Sequence, residues 1–400
     1  MHDQIVITGM ARTPQGGLQG SLSDVPAPQL GAVAIRAALA RANVDPAQAN
    51  EAIMGCVLPA GLRQAPARQA AIGAGLPVSV GCTTVNKMCG SAMKAVMLGF
   101  DALRAGSADC VVAGGMESMS NAPYLALKAR RGLRLGHGEL VDHIFFDGLE
   151  DAYDQGKLMG SYAEDCAGKY SFSRELQDGY AIESLSRAQN AIREGKFNAE
   201  IVPVVVKTRA GEVTVDTDEQ PGKANIDKIP LLRPAFAKDG TVTPANSSSI
   251  SDGAAALVLL REDTAQSRAV KPLATLHAHS THAQEPGWFT TAPVGAIAKV
   301  LEKTGWTVAD VDLFEVNEAF AVVAMAAMHD LRIPHEKLNV NGGACALGHP
   351  IGASGARIMV TLIAALQARG LTRGIASLCI GGGEATAVAL ELYATDTGSS

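Results

Sequence analysis

Short apolar runs that end in glycine recur along this chain, and helical stretches separate them. Residues 5–9, 52–55 and 110–115 are such runs, which are typical of strands buried on both faces of a sheet. Between them, residues 29–42 and 91–104 carry apolar side chains at helical spacing. The alternation predicts an α/β fold in which crossover helices join parallel strands.

The same pattern returns late in the chain. An apolar run at residues 311–316 is followed by a predicted helix from Glu318, a glycine-rich turn, a helix over about 352–369 and a strand at 374–383. Each half therefore places a turn with reactive side chains before a helix and closes with a strand that runs into glycines. This repeated pattern predicts an internal duplication.

The segment between the two halves has a different character. Residues 121–249 collect charged and turn-forming residues and hold few long apolar runs, which indicates an inserted loop domain. Apolar strand character resumes at residues 252–260. We therefore expect an N-terminal half at residues 1–120 plus 250–270, a loop domain at 121–249 and a C-terminal half at 271–400.

Composition excludes several classes of protein. The chain has 400 residues, 47% hydrophobic and 18% charged, which is enough apolar material for more than one core. A net charge of −6 without a basic run argues against nucleic-acid binding. The longest apolar run, residues 319–328, is shorter than the ~18 residues of a membrane span. The first residues lack the pattern of a secretory signal, so we expect a cytoplasmic protein without membrane association.

Cys89 is the first candidate for chemistry. It lies on the turn between Asn86 and Gly90, directly before a predicted helix. Because a helix N-terminus favours negative charge, we expect the thiol pKa to fall toward neutrality, which would suit a nucleophile. The alternative is a buried, inert cysteine. For the other cysteines apart from Cys379 we expect core packing as free thiols, since the chain has seven cysteines and no CxxC pair.

Residues at three further positions could take part in catalysis. His349 stands in a glycine-dense loop, residues 341–355, where a base or donor would be useful, although a structural histidine is the alternative. Cys379 ends an apolar run just before three glycines, among them Gly381, whose N–H groups could face an oxyanion. Asn317 sits at a strand-to-helix junction, where its alternative role is an N-cap.

A histidine cluster suggests a metal site at first sight. His277, His279 and His282 have suitable spacing, but alternation along a strand followed by a loop explains it. No carboxylate or cysteine nearby in the sequence completes a ligand set. We therefore expect no metal site.

Taken together, these motifs strongly resemble the thiolase family, the acetyl-CoA C-acyltransferases. The resemblance runs essentially from end to end. The matching stretches are residues 85–96, 114–124 (GGMESMSNAPY), 232–253, 317–321, 341–357 and 379–383.

The resemblance implies a role for each reactive residue. Cys89 would be the acylated nucleophile, His349 would activate its thiol, and Cys379 would take the α-proton of acetyl-CoA. Asn317 would hold a water that forms one oxyanion hole with His349, while the N–H groups of Cys89 and Gly381 form the other. The implied fold has two similar α/β halves packed as five αβαβα layers, with a loop domain that holds coenzyme A. Family members are homodimers or homotetramers, and coenzyme A is their substrate or product rather than a resident cofactor.

The chain departs from the family pattern in the substrate channel. Leu158 replaces a frequent histidine, Phe289 replaces a frequent methionine, and Glu384 stands where the usual Gly-Gly-Gly-Met-Gly ending has methionine. Ser248 matches the serine that contacts the pantetheine arm, and Lys223 is a candidate for the nucleotide end of coenzyme A. Because an aromatic ring at position 289 occupies volume that a long acyl chain needs, we expect a short-chain preference.

We therefore predict a thiolase that condenses two acyl-CoA molecules, or cleaves a 3-ketoacyl-CoA such as acetoacetyl-CoA, by a ping-pong route. Alternatives are a longer-chain thiolase of fatty-acid degradation and a noncatalytic acyl-CoA binder of the same fold. Decarboxylating ketoacyl synthases have no use for a second thiol such as Cys379. An NAD-dependent oxidoreductase should have a glycine fingerprint after its first strand, and Gly9-Met10-Ala11-Arg12 does not fit one.

Overall fold

The computed structural model describes residues 4–209 and 211–393. Its strands are β1 (Ile5–Arg12), β2 (Gly16–Gly17), β3 (Glu51–Gly55), β4 (Gly81–Val85), β5 (Cys110–Ser118), β6 (Tyr124–Leu125), β7 (Val141–Asp142), β8 (Val204–Thr208), β9 (Gly211–Val215), β10 (Ser251–Arg261), β11 (Ala274–Ala283), β12 (Leu313–Val316), β13 (Arg373–Ile380) and β14 (Glu384–Leu392). Its α-helices are α1 (Ala27–Ala42), α2 (Pro66–Ala74), α3 (Ser91–Arg104), α4 (Met159–Tyr170), α5 (Arg174–Arg193), α6 (Glu219–Lys223), α7 (Glu262–Ser267), α8 (Ala292–Thr304), α9 (Ala321–Leu331), α10 (Ala344–Leu347) and α11 (Ser354–Arg369).

The main sheet has the strand order β12-β13-β14-β11-β1-β10-β5-β3-β4. Parallel pairs lie toward the two ends, where β3 pairs with β4 and β5, and β12 pairs with β13. The two halves meet at β1 and β11 through a short antiparallel pairing that begins at Ile5 and Leu276. β1, β5 and β10 are buried along almost their whole length, as their continuous apolar runs predicted.

Three groups of helices cover the two halves of this sheet. α1 and α2 pack through Leu30 and Ala70 on the outer face of the N-terminal half. α3 and α11 lie together between the halves, where Met93 and Met359 belong to one apolar cluster. α8 and α9 cover the outer face of the C-terminal half, with Ile297 among their buried side chains. The expected five-layered αβαβα arrangement is thus confirmed.

The internal duplication is visible in the connections. In the N-terminal half, α3 precedes β5, which is parallel to β3; in the C-terminal half, α11 precedes β13, which is parallel to β12. The turn before α3 carries Cys89, and the loop before α11 carries His349. The pseudo-equivalent connections therefore direct these two side chains from opposite halves toward the same place.

Some element bounds differ from the prediction. α9 begins at Ala321 rather than at Glu318, because residues 317–320 form a separate turn in which the Ala319 N–H donates to the Asn317 carbonyl at 3.0 Å. β13 ends at Ile380, and the three glycines that follow form a turn to β14. Within the described residues, no helix has the length and apolar character needed to cross a membrane.

The inserted segment is anchored to the first strand by a buried charge cluster. Arg12, at the end of β1, is fully buried and donates to Glu200 at 2.9 Å and to Asp218 at 2.7 Å. Its guanidinium also lies 4.9 Å from the ring centre of Phe197. This cluster fixes α5, α6 and the chain between them against the N-terminal half.

Candidate active site

One cavity of about 320 Å³ brings together most of the side chains that the sequence singled out. Its walls are largely apolar with a few polar groups, which is the usual character of a small-molecule site. The predicted residues that line it are Cys89, His349, Cys379, Gly381, Ser248, Leu158 and Phe289.

A tight turn presents Cys89 to the cavity. The Asn86 side chain accepts from the Met88 N–H at 3.0 Å, and the Ser91 hydroxyl accepts from the Lys87 N–H at 2.8 Å while donating to the Met88 carbonyl at 2.6 Å. Met88 adopts a left-handed φ of 48°, which is strained for a residue other than glycine and is held here by these hydrogen bonds. Because α3 begins at Ser91, Cys89 lies just before the helix, as predicted.

The Cys89 thiol is less acidic than its position predicts. Burial away from water raises the pKa of Cys89 to about 11, and this outweighs the lowering by the backbone N–H groups of Gly381 and Cys89 itself. The expected fall of this pKa toward neutrality is therefore wrong for the resting protein. The two N–H groups that face the sulfur are those that the resemblance assigns to an oxyanion hole.

His349 offers a free nitrogen to the cavity. Its Nδ1 lies 2.5 Å from the Ser354 hydroxyl, which donates to the Pro350 carbonyl at 2.9 Å. With the single hydrogen of that hydroxyl assigned to the Pro350 carbonyl, Nδ1 carries the proton of the ring and Nε2 keeps its lone pair. Nε2 is buried and has no hydrogen-bond partner among the described residues. Burial, reinforced by the charge of Arg357, lowers the pKa of His349 to about 3, so the ring is neutral near pH 7.

Asn317 lies directly behind His349. It follows β12, its backbone N–H donates to the Ser377 carbonyl at 3.0 Å, and its Nδ2 is 3.4 Å from His349 Nδ1. The Arg357 guanidinium donates to its Oδ1 at 3.3 Å. The N-cap residue of α9 is Phe320, so the alternative that Asn317 is a helix cap is wrong.

Cys379 places a second thiol in the cavity. It lies near the end of β13 and is 1% exposed. Burial, together with the neighbouring Cys89, raises the pKa of Cys379 well above its usual range. The turn after it needs glycine, since Gly382 and Gly383 have φ values of 91° and 90°, and a Cβ at Gly383 would lie 2.3 Å from the Gln284 carbonyl oxygen.

A buried carboxylate that the sequence analysis missed organises the His349 loop. Glu318 accepts from Tyr180 at 2.8 Å, Ser184 at 2.7 Å, Asn339 at 2.8 Å and the Cys345 N–H at 3.1 Å. A charged residue between Asn317 and a long apolar run was the available signal. Its partners could not be read from the sequence because two of them belong to α5, far away in the chain.

Glu117 plays a similar part on the other side of the loop. Its carboxylate accepts from the N–H groups of Val57 at 2.9 Å, Leu58 at 3.1 Å and Gly352 at 2.8 Å. Burial raises the pKa of Glu117 to about 7 despite these bonds. Glu117 therefore joins a loop of the N-terminal half to the loop that carries His349.

An aromatic wall closes one side of the cavity. Phe289 is 3% exposed and makes edge contacts with Tyr162 and Phe320, at ring-centre distances of 6.3 Å and 6.5 Å. Phe236 packs against Phe320 at 6.0 Å and also lines the cavity. Leu158, the residue before α4, contributes to the same lining. Phe236 and Phe320 were not predicted, since neither stands out from ordinary core residues in the sequence.

The predicted binding residues divide into two groups. Ser248 faces the cavity, and its hydroxyl and its N–H both donate to the Ala319 carbonyl at 3.0 Å. Lys223 lies outside the cavity on α6, where it forms an ion pair with Glu219. The structure thus separates Lys223 from the reactive residues.

The histidines of β11 have unrelated partners. His277 faces Glu391 at 2.9 Å, and His279 faces Asp101 at 3.0 Å. These carboxylates, which lie far away in the sequence, were not anticipated. In the part of the chain that the structure describes, no three metal-ligating side chains lie together.

Comparison with known proteins assigns the family. The profile of the thiolase N-terminal domain matches residues 5–263, and that of the thiolase C-terminal domain matches residues 270–392. Acetyl-CoA acetyltransferase 2 of Arabidopsis thaliana is 52% identical over 391 residues, which is 97% of each chain. Acetyl-CoA acetyltransferase of Cupriavidus necator is 49% identical over 97% of this chain and 99% of its own. The crystal structure of the Bacillus anthracis acetyl-CoA acetyltransferase matches with a TM-score of 0.95 at 40% identity, covering 98% of this chain and 99% of that one. Two domain profiles that match residues 5–263 and 270–392, together with full-length relatives and a shared fold, make this chain a member of the thiolase family.

Proposed function

We propose that the protein is an acetyl-CoA acetyltransferase, which interconverts two acetyl-CoA with acetoacetyl-CoA and free coenzyme A. The observation that carries the proposal is a cavity lined by two thiols and an imidazole with a free Nε2. The printed names of the full-length relatives agree with this activity. A noncatalytic binder would have no need for all three groups.

The first step in the cleavage direction forms an acyl-cysteine. The Cys89 thiol gives its proton to His349 Nε2, and its sulfur attacks the 3-keto carbonyl of acetoacetyl-CoA. The negative charge that develops on the carbonyl oxygen is stabilised by the N–H groups of Cys89 and Gly381, or by Asn317 and His349. Which of these two oxyanion holes acts depends on which carbonyl reacts. The bond between C2 and C3 breaks, and the acetyl group remains on Cys89. The Cys379 thiol gives its proton to the departing carbanion, which leaves as acetyl-CoA.

The second step restores the resting site. Coenzyme A attacks the acetyl group on Cys89 and gives its thiol proton to the Cys379 thiolate. The Cys89 sulfur leaves and regains the proton that His349 held, so that charges and protons balance. A resting state with two protonated thiols and a neutral imidazole agrees with the raised thiol pKa values and the lowered pKa of His349. The condensation direction is the reverse of these steps.

Coenzyme A would extend from the cavity past Ser248. The Ser248 oxygen donates its hydrogen to Ala319 and keeps lone pairs for an amide N–H of the pantetheine arm. An adjoining depression shares Pro244 and Ser249 with the cavity and is lined by Lys228. We infer that Lys228 is better placed than Lys223 for the phosphates of the nucleotide end.

Assembly and location remain proposals. We expect a homodimer or homotetramer, and the segment before α4 supports this with large exposed apolar side chains, including Leu135 at 98% and Leu140 at 66% exposure. Light scattering on the purified protein tests the assembly state. We also keep the cytoplasmic location as a proposal, for which cell fractionation is the measurement.

Acetyl transfer to Cys89 is the decisive test. After incubation with acetyl-CoA, peptide mass mapping should find an acetyl group on Cys89, and Cys89→Ala should fold but lose turnover of acetoacetyl-CoA. Cys110→Ala removes a buried thiol of β5 that does not line the cavity and should keep both properties. Acetylation elsewhere with Cys89 unmodified contradicts the proposal.

A further inference from the structure

A buried cation stands behind the cavity and has no part in the steps above. Arg357 lies in the first turn of α11 and is 1% exposed. Its nearest carboxylate is Glu315, at a rather long 3.8 Å. Its Nε and Nη1 atoms have no hydrogen-bond partner among the described residues. A buried charge that is so incompletely paired is costly, so pairing alone does not explain the arginine.

Among the residues that the structure describes, the one close polar contact of Arg357 leads to the candidate active site. Its Nη2 donates to the Asn317 Oδ1 at 3.3 Å. On the other side of the same amide, Nδ2 lies 3.4 Å from His349 Nδ1. Asn317 itself is 1% exposed, so bulk water does not compete for either end of its amide.

An amide group can turn about its last side-chain bond, which exchanges its oxygen and its nitrogen. A guanidinium has donors only, and the reversed amide would set two donors against each other, whereas Nδ2 in the observed orientation lies beside a ring nitrogen whose hydrogen is already given to Ser354. The contact with Arg357 therefore holds Oδ1 toward the guanidinium and leaves Nδ2 on the side of His349. Because His349 Nδ1–H is already donated to Ser354, the Nδ2 hydrogens remain available to a water or a developing oxyanion.

We propose that Arg357 is a positioning residue that acts through Asn317, by fixing the donor end of its amide toward the reacting carbonyl oxygen. The inference rests on the proposed function, since it assumes that Asn317 stabilises an oxyanion. In this proposal Arg357 does not contact the substrate.

A double-mutant cycle tests the proposal through thiolysis of acetoacetyl-CoA. Removing one preorganised oxyanion donor typically lowers kcat by about 10² to 10³-fold. We expect Arg357→Met to cause a loss of that order in the parent, and less than about threefold on the Asn317→Ala background. Equal losses on both backgrounds would mean that Arg357 does not act through Asn317.

A matched control comes from the same helix. Arg369 donates to the Asn341 Oδ1 at 3.1 Å, an equivalent contact outside the cavity. Arg369→Met should change kcat by the same small factor on both backgrounds. Glu315→Gln, which removes the nearest carboxylate but keeps the donor to Asn317, should retain most of the turnover.

A second readout separates positioning from collapse of the site. Alkylation of Cys89 by iodoacetamide needs the thiol but no oxyanion donor, so we expect Arg357→Met to keep this rate within about threefold. A parallel loss of alkylation and turnover overturns the proposal.

If Arg357→Met does not fold, Arg357→Lys serves in the same double-mutant cycle, since it loses the planar guanidinium and keeps the charge. A parent protein without thiolysis activity would instead refute the proposed function, which is measured first.

Discussion

Cys89 and His349 both line the cavity and are both neutral at rest. With the pKa of the thiol raised to about 11 and that of the imidazole lowered to about 3, the proton stays on sulfur throughout the neutral range. In the proposed mechanism, transfer to Nε2 therefore accompanies attack of the sulfur on the substrate carbonyl, when the N–H groups of Cys89 and Gly381 would stabilise the new charge. The site differs in this respect from a cysteine–histidine ion pair formed in advance.

This arrangement makes a prediction about titration. A raised pKa keeps the thiol protonated as pH rises through neutrality, so the difference in thiolate absorbance between the parent and Cys89→Ala should stay well below that of one full thiolate at pH 9.5, where an ordinary thiol is mostly ionised. Ultraviolet difference titration measures it, with both proteins carrying Cys379→Ala because, in addition to burial, Cys89 raises the pKa of Cys379, so that the remaining thiols cancel in the subtraction. A step of one full thiolate near pH 7 would mean that the helix N-terminus outweighs burial.

A second residue-scale prediction separates the two thiols. Cys379→Ser should still form acetyl-Cys89 within a few-fold of the parent rate, because acyl transfer uses Cys89 and His349. Exchange of solvent deuterium into the acetyl methyl group should fall by about 10² or more, the usual contribution of a positioned acid or base. Mass spectrometry follows both reactions.

The control for that experiment is another buried thiol of the same apolar cluster. Cys166 lies in α4, near Cys379 but outside the cavity lining. Cys166→Ala should keep both acyl transfer and exchange. Deuterium exchange at the parent rate in Cys379→Ser would assign the carbon-acid step to a different base.

At the scale of elements, the turn before α8 forms part of the cavity wall through Phe289. Phe289 belongs to this turn and is held between Tyr162 of α4 and Phe320 before α9. Three separate elements therefore hold the ring in place. A longer acyl chain would have to displace it or end against it.

We predict that Phe289→Ala raises kcat/KM for 3-ketohexanoyl-CoA relative to acetoacetyl-CoA by about tenfold. Each methylene in an apolar site is worth ~1 to 3 kcal/mol, so the preference should change gradually with chain length. The ratio is the readout because a buried phenylalanine truncated to alanine also costs about 3 to 5 kcal/mol of stability, which affects all substrates alike. Phe172→Ala, in the same cluster but outside the cavity, should leave the ratio unchanged. An unchanged ratio in Phe289→Ala would show that the ring does not limit chain length.

The elements themselves were largely predictable, whereas their polar contacts were not. Residues 91–104 formed the predicted helix because their apolar spacing is local information. Residues 318–320 were predicted as the start of a helix because nothing in the adjacent sequence indicates that Glu318 is bound by α5. Burial likewise reversed the expected pKa change of Cys89, since desolvation depends on what the whole fold places around a side chain.

At the scale of the whole molecule, the inserted segment and the first strand depend on one cation. Arg12 is the shared partner of Glu200 and Asp218, and all three are buried. Arg12→Met leaves two carboxylates without their counter-charge, so we expect a loss of about 3 to 5 kcal/mol in unfolding free energy. Urea unfolding measures this loss.

The matched control removes all three charges of the cluster together, so that no unpaired charge is left buried. Arg12→Met combined with Glu200→Gln and Asp218→Asn should recover a good part of the lost stability, because no uncompensated charge remains buried. Lys223→Met, which removes only an exposed partner of Glu219, should cost less than about 1 kcal/mol. A loss of unfolding free energy below about 1 kcal/mol for Arg12→Met would contradict the stabilising role that we assign to the cluster.

The two equivalent connections, one before α3 and one before α11, bring different reactive residues into one cavity. A fragment ending at residue 263 would keep Cys89 and lack His349, and the remaining fragment would hold the reverse. We therefore expect neither half alone to catalyse thiolysis, although each would keep one of the two connections.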